Sequence, residues 1–319
     1  MERIFDPWSL VYLGLGAAGA FVFCLLVRLA KGDGSSCWKR PLEAAILTFV
    51  GGLLARVVVG AFLAGANDSP GSVVAVGWAF LLWPGAINTI PWLLGKPLPI
   101  DADTLVWIAT GVGCFTGMMD GLWRTRDWTD IKALGVVGFV TDVTWGLAGT
   151  TNSCLLHLVN LLGLVWSDHS DDDRQGAHRY KSGFRFLPTY AFTQGSVMSN
   201  MGERGPDTPL YRHEKLHVWQ NRLAGPFFVL TYLGWMALLF IPSFIGGLVI
   251  QGASLGKTIM WWTYMNNPWE VWAYEKNNPE SRRDALPSIQ WSIGKVLAVA
   301  IPFYLACLGA GGAVLWQVW

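Results

Sequence analysis

The stretch YRHEKLHVWQNR, residues 211–222, holds His213, Glu214 and His217 in the pattern H-E-x-x-H. On a helix, positions i and i+4 share one face, so both imidazoles can reach one metal ion while Glu214 points to the adjacent quadrant. A catalytic zinc keeps three protein ligands and one open position for water, and a neighbouring glutamate takes a proton from that water. Glu214 is therefore the candidate general base, and the site needs a third ligand. Downstream, NPWEVWAYEKN predicts a helix opening after Asn266, Asn267 and Pro268, with Glu270 in its first turn and Glu275 further on. Glu270 is the expected third zinc ligand. Gln220 is a candidate partner of a ligand, or else a surface amide. Tyr274 is a candidate oxyanion donor, or else an interface aromatic beside Trp269 and Trp272.

The elements that must position these residues are mostly apolar. The 319 residues are 52% hydrophobic and 14% charged, where a soluble globular domain carries charge on about a quarter of its residues. This composition predicts an integral, multi-pass membrane protein surrounded by lipid. Net charge is +1, so no basic field favours nucleic acid as a partner. The five cysteines are scattered, form no C-x-x-C pair and read as packing residues. Apolar runs of the length that crosses a bilayer, about 20 residues, lie near 8–29, 43–65, 71–95, 103–122 and 288–318. Pro84 and Pro91 mark the third of these for a re-entrant path. A longer apolar stretch, 133–166, contains Asp142, Thr144, Asn152, His157 and Asn160. Asp142 is a candidate intramembrane functional acid; its alternative is a helix-to-helix hydrogen bond or a helix end. His157 reads as a satisfied interior residue, and Asp120 as a span terminus. Arg28, Lys31, Lys39 and Arg40 place the first loop on the cytoplasmic side.

Residues 167–212 are polar, run from Asp171, Asp172 and Asp173 to Arg185, and continue into GFRFLPTYAFTQGSVMSN, a composition that predicts short strands. For Glu270 to meet His217, the chain between must cross the membrane twice or dip and return, and Pro242 with Gly246 and Gly247 suggests a helical hairpin bent there. The expected organisation is an N-terminal transmembrane region over 1–166, a segment over 167–287 carrying the strands, the HExxH helix, the membrane hairpin and the Glu270 helix, and a C-terminal span over 288–319.

HEKLHVWQ followed some fifty residues later by NPWEVWAYEKN resembles the gluzincin arrangement of membrane-embedded zinc metallopeptidases. It is also similar to a broad group of bacterial membrane proteins with H-E-x-x-H-x-x-Q and N-P-x-E-x-x-A-Y elements. The resemblance covers roughly residues 185–280. It implies zinc as cofactor, His213, His217 and Glu270 as its ligands, Glu214 as general base, a peptide or protein substrate and a bacterial inner-membrane location. The expected fold class is mainly α: a polytopic transmembrane helical bundle of about 6–8 spans with a small strand-containing extramembrane segment and a zincin-like helix pair. A different class of function also fits the residues, namely a structural or accessory subunit of a larger membrane complex whose metal merely staples two helices. The 19 Trp and 37 Gly suit the extensive helix packing of such an assembly.

Overall fold

The computed structural model describes residues 2–32, 38–123, 134–163, 169, 176–185, 190–249, 254–279 and 291–318. The basic residues Arg124, Arg126 and Lys132, the acidic run Asp171–Asp173 and part of the strand-rich run around Pro188 lie outside these residues. The chain forms two compact units, residues 1–203 with 221–226, and residues 204–220 with 227–319.

The first unit opens with α1 (Glu2–Phe5), α2 (Pro7–Ala30) and α3 (Lys39–Gly65). It continues through α4 (Pro70–Val76), a π-helical turn at Gly77–Leu81, α5 (Trp83–Leu93), α6 (Ala102–Trp123), α7 (Leu134–Val143) and α8 (Leu147–Leu162). Asp6 caps α2 by accepting from the Trp8 and Ser9 amides, as expected of a short side chain placed just before a helix. Its centre is the packing of α3 on α6. A methyl on Gly113 would sit 2.2 Å from the Gly51 carbonyl oxygen, one on Gly117 2.1 Å from that of Leu47, and one on Gly121 2.2 Å from the Ala44 Cα. Small residues every fourth position thus let two apolar helices approach backbone to backbone, where close contact gains dispersion energy. The core beside it is built from Ala55, Val59, Leu63, Leu105 and Val106, all buried.

The apolar run 71–95 is not one span. The helix breaks at Leu82, whose φ is +63°, and the two halves fold together where a methyl on Gly85 would lie 2.2 Å from the Trp78 nitrogen. Pro84 has no amide to carry the ladder through the break, and the glycines permit the close return. The long polar-dotted run 133–166 likewise divides at Thr144–Gly146 into α7 and α8.

The strands form as expected but small: β1 (His178–Arg179), β2 (Phe192–Gln194) and β3 (Val197–Ser199), in order β1-β3-β2. β2 and β3 are an antiparallel hairpin with Thr193 opposite Met198, and β1 pairs parallel to β3. The sheet rests on α8 through Ser153, whose hydroxyl donates to the Gln194 carbonyl and accepts from the Ser196 amide.

The second unit begins in α9 (Pro209–Ala224), which gives residues 221–224 to the first. It continues with α10 (Pro226–Val249), α11 (Leu255–Met260), a π-helical turn at Trp261–Met265, α12 (Pro268–Lys276) and α13 (Ile293–Val318). The expected hairpin turn at Pro242 is absent: α10 runs through it to Val249, and α11 follows from Leu255. One interior proline removes a single ladder bond, that to the Leu238 carbonyl, and the Ser243 hydroxyl donates to the neighbouring Phe240 carbonyl at 2.8 Å. Trp235, Leu239, Val271, Val296 and Ala300 form the core of this unit.

Among the described residues, four helices, α2, α3, α6 and α10, are long and apolar enough to cross a membrane. Large apolar side chains stand exposed along them, among them Leu15, Val22 and Leu26 on α2 and Phe240, Ile241 and Leu248 on α10.

Candidate metal centre

α9 starts where Thr208 accepts a hydrogen bond from the Tyr211 amide through its hydroxyl. It ends at Gly225, with φ +55° and its amide donating to the Asn221 carbonyl. A side chain at Gly225 would both strain that left-handed backbone and meet the Trp145 ring at 2.3 Å. Between these ends the helix is unusually polar inside: His213, Glu214, His217, Gln220, Asn221 and Arg222 are all buried. Burying so many polar groups is costly unless each is matched.

His213 and His217 project from one face, their rings 4.9 Å apart and nearly perpendicular. The His213 Nδ1 lies 3.1 Å from the Asn277 carbonyl oxygen. The His217 Nδ1 lies 2.8 Å from Gln220 Oε1, and the Gln220 amide is oriented because its Nε2 donates to the Trp269 carbonyl at 3.0 Å. Both partners only accept, so in each neutral ring the proton sits on Nδ1 and the Nε2 lone pair points inward.

Glu270 arrives from α12. Asn267 caps that helix, accepting from the Trp269 amide and donating to the Tyr232 carbonyl, and Pro268 occupies its first position. Glu270 therefore stands in the first turn, where the helix dipole favours a carboxylate. Its Oε1 accepts from the Tyr232 hydroxyl at 2.8 Å. Its Oε2 is buried without a hydrogen-bond donor. The His213 Nε2 lies 3.4 Å from Oε2, the His217 Nε2 3.4 Å from Oε1, and the two Nε2 atoms 3.2 Å from each other. The three residues are 1%, 7% and 3% exposed.

Two lone pairs and a carboxylate thus converge with no proton of their own to share, and a buried set of that kind requires a cation. This group could hold a metal ion. Donors held about 2.0–2.1 Å from a tetrahedral ion lie about 3.3 Å apart, close to all three spacings observed. The unmatched Oε2 is a further mark of fit. Without metal, the cation is a proton: burial pulls the His217 imidazole down, but the Glu270 charge and hydrogen bond, aided by Glu214 and Gln220, raise it to about 9. Burial would raise the Glu270 carboxyl, but His217 and His213 hold it well below the ordinary carboxylate range.

The residues singled out in the sequence therefore separate. His213, His217 and Glu270 converge; Glu214 is buried beside them on α9; Gln220 contacts His217. The Tyr274 ring packs on His213 at 4.4 Å. Asp142 belongs to the first unit, at the end of α7, where Arg222 donates to both its carboxylate oxygens at 2.9 and 2.8 Å. That bidentate pair fits the helix-to-helix alternative for Asp142. Tyr232 had no sequence mark, being one aromatic in the apolar run TYLGWM. Asp120 is more than a span terminus, because its carboxylate meets His178 at 3.1 Å.

The chain matches no protein-family model, no curated protein and no solved structure.

Proposed function

We propose that the protein is a membrane-embedded zinc-dependent hydrolase acting on peptide bonds, with Glu214 as its general base. The observation that carries this reading is the convergence of both Nε2 lone pairs and the Glu270 carboxylate at 3.2 to 3.4 Å, with each imidazole Nδ1 committed to an accepting oxygen. Zinc suits two imidazoles and one carboxylate, and three protein ligands is the number that leaves a position for water. Bound there, zinc supplies a Lewis acid that acidifies water and polarises a carbonyl. Glu214 takes the proton of the attacking water and returns it to the leaving amine. Gln220 holds the His217 tautomer, and Tyr232 holds the Glu270 carboxylate in line. Lipid contacts and a peptide or protein substrate belong to this proposal, supported by the apolar helices and the H-E-x-x-H pattern, and a bacterial inner-membrane location belongs to it through the resemblance alone.

A second reading, an accessory subunit in which the metal staples α9 to α12, draws support from the near-complete burial of the ligands. Metal analysis of the full-length protein in detergent tests the site, with about one zinc per chain expected in wild type and none in His217→Ala. Equal metal in both ends the metal reading. Glu214→Gln should keep its zinc and lose hydrolysis of a peptide library by about 10²- to 10⁴-fold. Unchanged hydrolysis removes Glu214 as base, and a zinc-loaded wild type that cleaves nothing in the library favours the staple.

A further inference from the structure

A second cluster, wholly inside the first unit, has no part in the proposed hydrolysis. It joins Asp120 on α6, His157 on α8, His169, His178 on β1 and Tyr180, all buried. The His178 Nε2 lies 3.1 Å from Asp120 Oδ1, and the His178 Nδ1 lies 2.8 Å from the His169 Nε2. The Trp123 ring stacks on His169 at 4.4 Å and 11°, and the His157 ring meets His178 edge-on at 4.4 Å while its Nδ1 lies 2.8 Å from the Tyr180 hydroxyl. These rings hold the chain of donors and acceptors in line.

Its proton arrangement follows from elimination. An ionised carboxylate only accepts, so the His178 Nε2 carries the proton; the neutral ring's Nδ1 then accepts, so the His169 Nε2 carries its own. A second arrangement, one proton richer, satisfies the Asp120–His178 and His178–His169 contacts equally and places the added proton on the His169 Nδ1, a buried atom. Protonated Asp120 donates to the His178 Nε2, the His178 Nδ1 donates to the His169 Nε2, and the His169 proton sits on Nδ1. At the metal centre, by contrast, both Nδ1 atoms are committed outward and both Nε2 atoms face the Glu270 carboxylate.

We propose that Asp120, His178 and His169 form a proton relay ending on α6, a helix long and apolar enough to span a membrane. A proton arriving on the His169 Nδ1 sends the Nε2 proton of His169 to the His178 Nδ1, and the Nε2 proton of His178 to the Asp120 carboxylate. One proton enters, one is stored on the carboxylate, and no imidazole is left charged. Among the described residues, the other titratable or charged groups around the relay include His157 and Cys154 from α8, Arg179 and Tyr180 at β1, and Lys31, whose ammonium lies 4.1 Å from the centre of the Trp123 ring.

The test is nitrogen NMR of the full-length protein in detergent with ¹⁵N-histidine, where only five histidines report. On acidification from about pH 8 to about pH 5, a range bracketing free imidazole and approaching free carboxylate values, wild-type His169 and His178 should both move their proton from Nε2 to Nδ1 in one shared titration. Asp120→Asn can occupy either arrangement but cannot exchange the proton, so it should show no pH-driven switch. The His213 and His217 signals report that the variant is folded, and if it is not, the wild-type titration decides alone. Separate titrations, formation of imidazolium at His169 or His178, no change over the range, or a switch that persists in Asp120→Asn each overturn the relay.

Discussion

Metal affinity at the His213, His217 and Glu270 centre should depend on pH well above the usual histidine range. Without metal, the His217 imidazole is raised from 6.5 to about 9 by the Glu270 carboxylate 3.4 Å away, against the opposing pull of burial. A metal must displace that proton, because Nε2 cannot bind both. Below the raised value, each pH unit therefore costs a factor of about ten in apparent affinity, roughly 1.4 kcal/mol. Between pH 9 and pH 7 this amounts to about 100-fold, or roughly 2.7 kcal/mol. Competition of the metal-free protein with a chromophoric zinc chelator, from about pH 6 to about pH 10, should show a slope of about one proton per zinc with a break near pH 9. The same coupling sets the sign of the stability effect. The His217 contribution is full below 6.5 and fades as pH rises through about 9, whereas that of Glu270, whose carboxyl is lowered from 4.5, is present above 4.5 and lost as pH falls through its folded value. Glu270→Gln removes the raising charge, so in that metal-free variant His217 should become neutral below its ordinary 6.5. A break in zinc affinity near the ordinary imidazole value, or a Glu270→Gln variant that keeps the raised His217, refutes the reasoning.

Two further substitutions probe the supports. Tyr232→Phe deletes the 2.8 Å hydrogen bond to Glu270, a bond to an ionised group worth about 1.5–3 kcal/mol, and should lower the thermal unfolding midpoint of the metal-free protein in detergent. An unchanged midpoint means that the hydroxyl does not hold the carboxylate. Arg222→Leu leaves Asp142 as an uncompensated buried charge and should destabilise by about 3–5 kcal/mol, whereas Asp142→Leu combined with Arg222→Leu should recover most of that loss. A double variant as damaged as the sum of the single ones shows that the two side chains act independently.

What was legible in the sequence was local. The four-residue spacing of His213 and His217 is set by the helix period, and the Asn267–Pro268 start that presents Glu270 in a first turn is set by capping chemistry. Apolar length likewise marks α2, α3 and α6 wherever the chain folds. The errors fell where a local signal met a tertiary choice: Pro242 is carried inside α10, and the run 71–95 breaks at Leu82 because Gly77 and Gly85 let the halves close together. His157, His169 and His178 are 12 and 9 residues apart on a helix, a bridge and a strand, so no repeat links them and only the packing of α6, α8 and β1 makes them a cluster. Sequence alone determined which helix face His213, His217 and Glu270 each occupy, because backbone periodicity is a property of neighbours along the chain. Tertiary structure alone decided that Tyr232 meets Glu270 and that Asp120 meets His178, because those contacts follow from how apolar helix faces pack, and that packing leaves no mark on the polar residues it brings together.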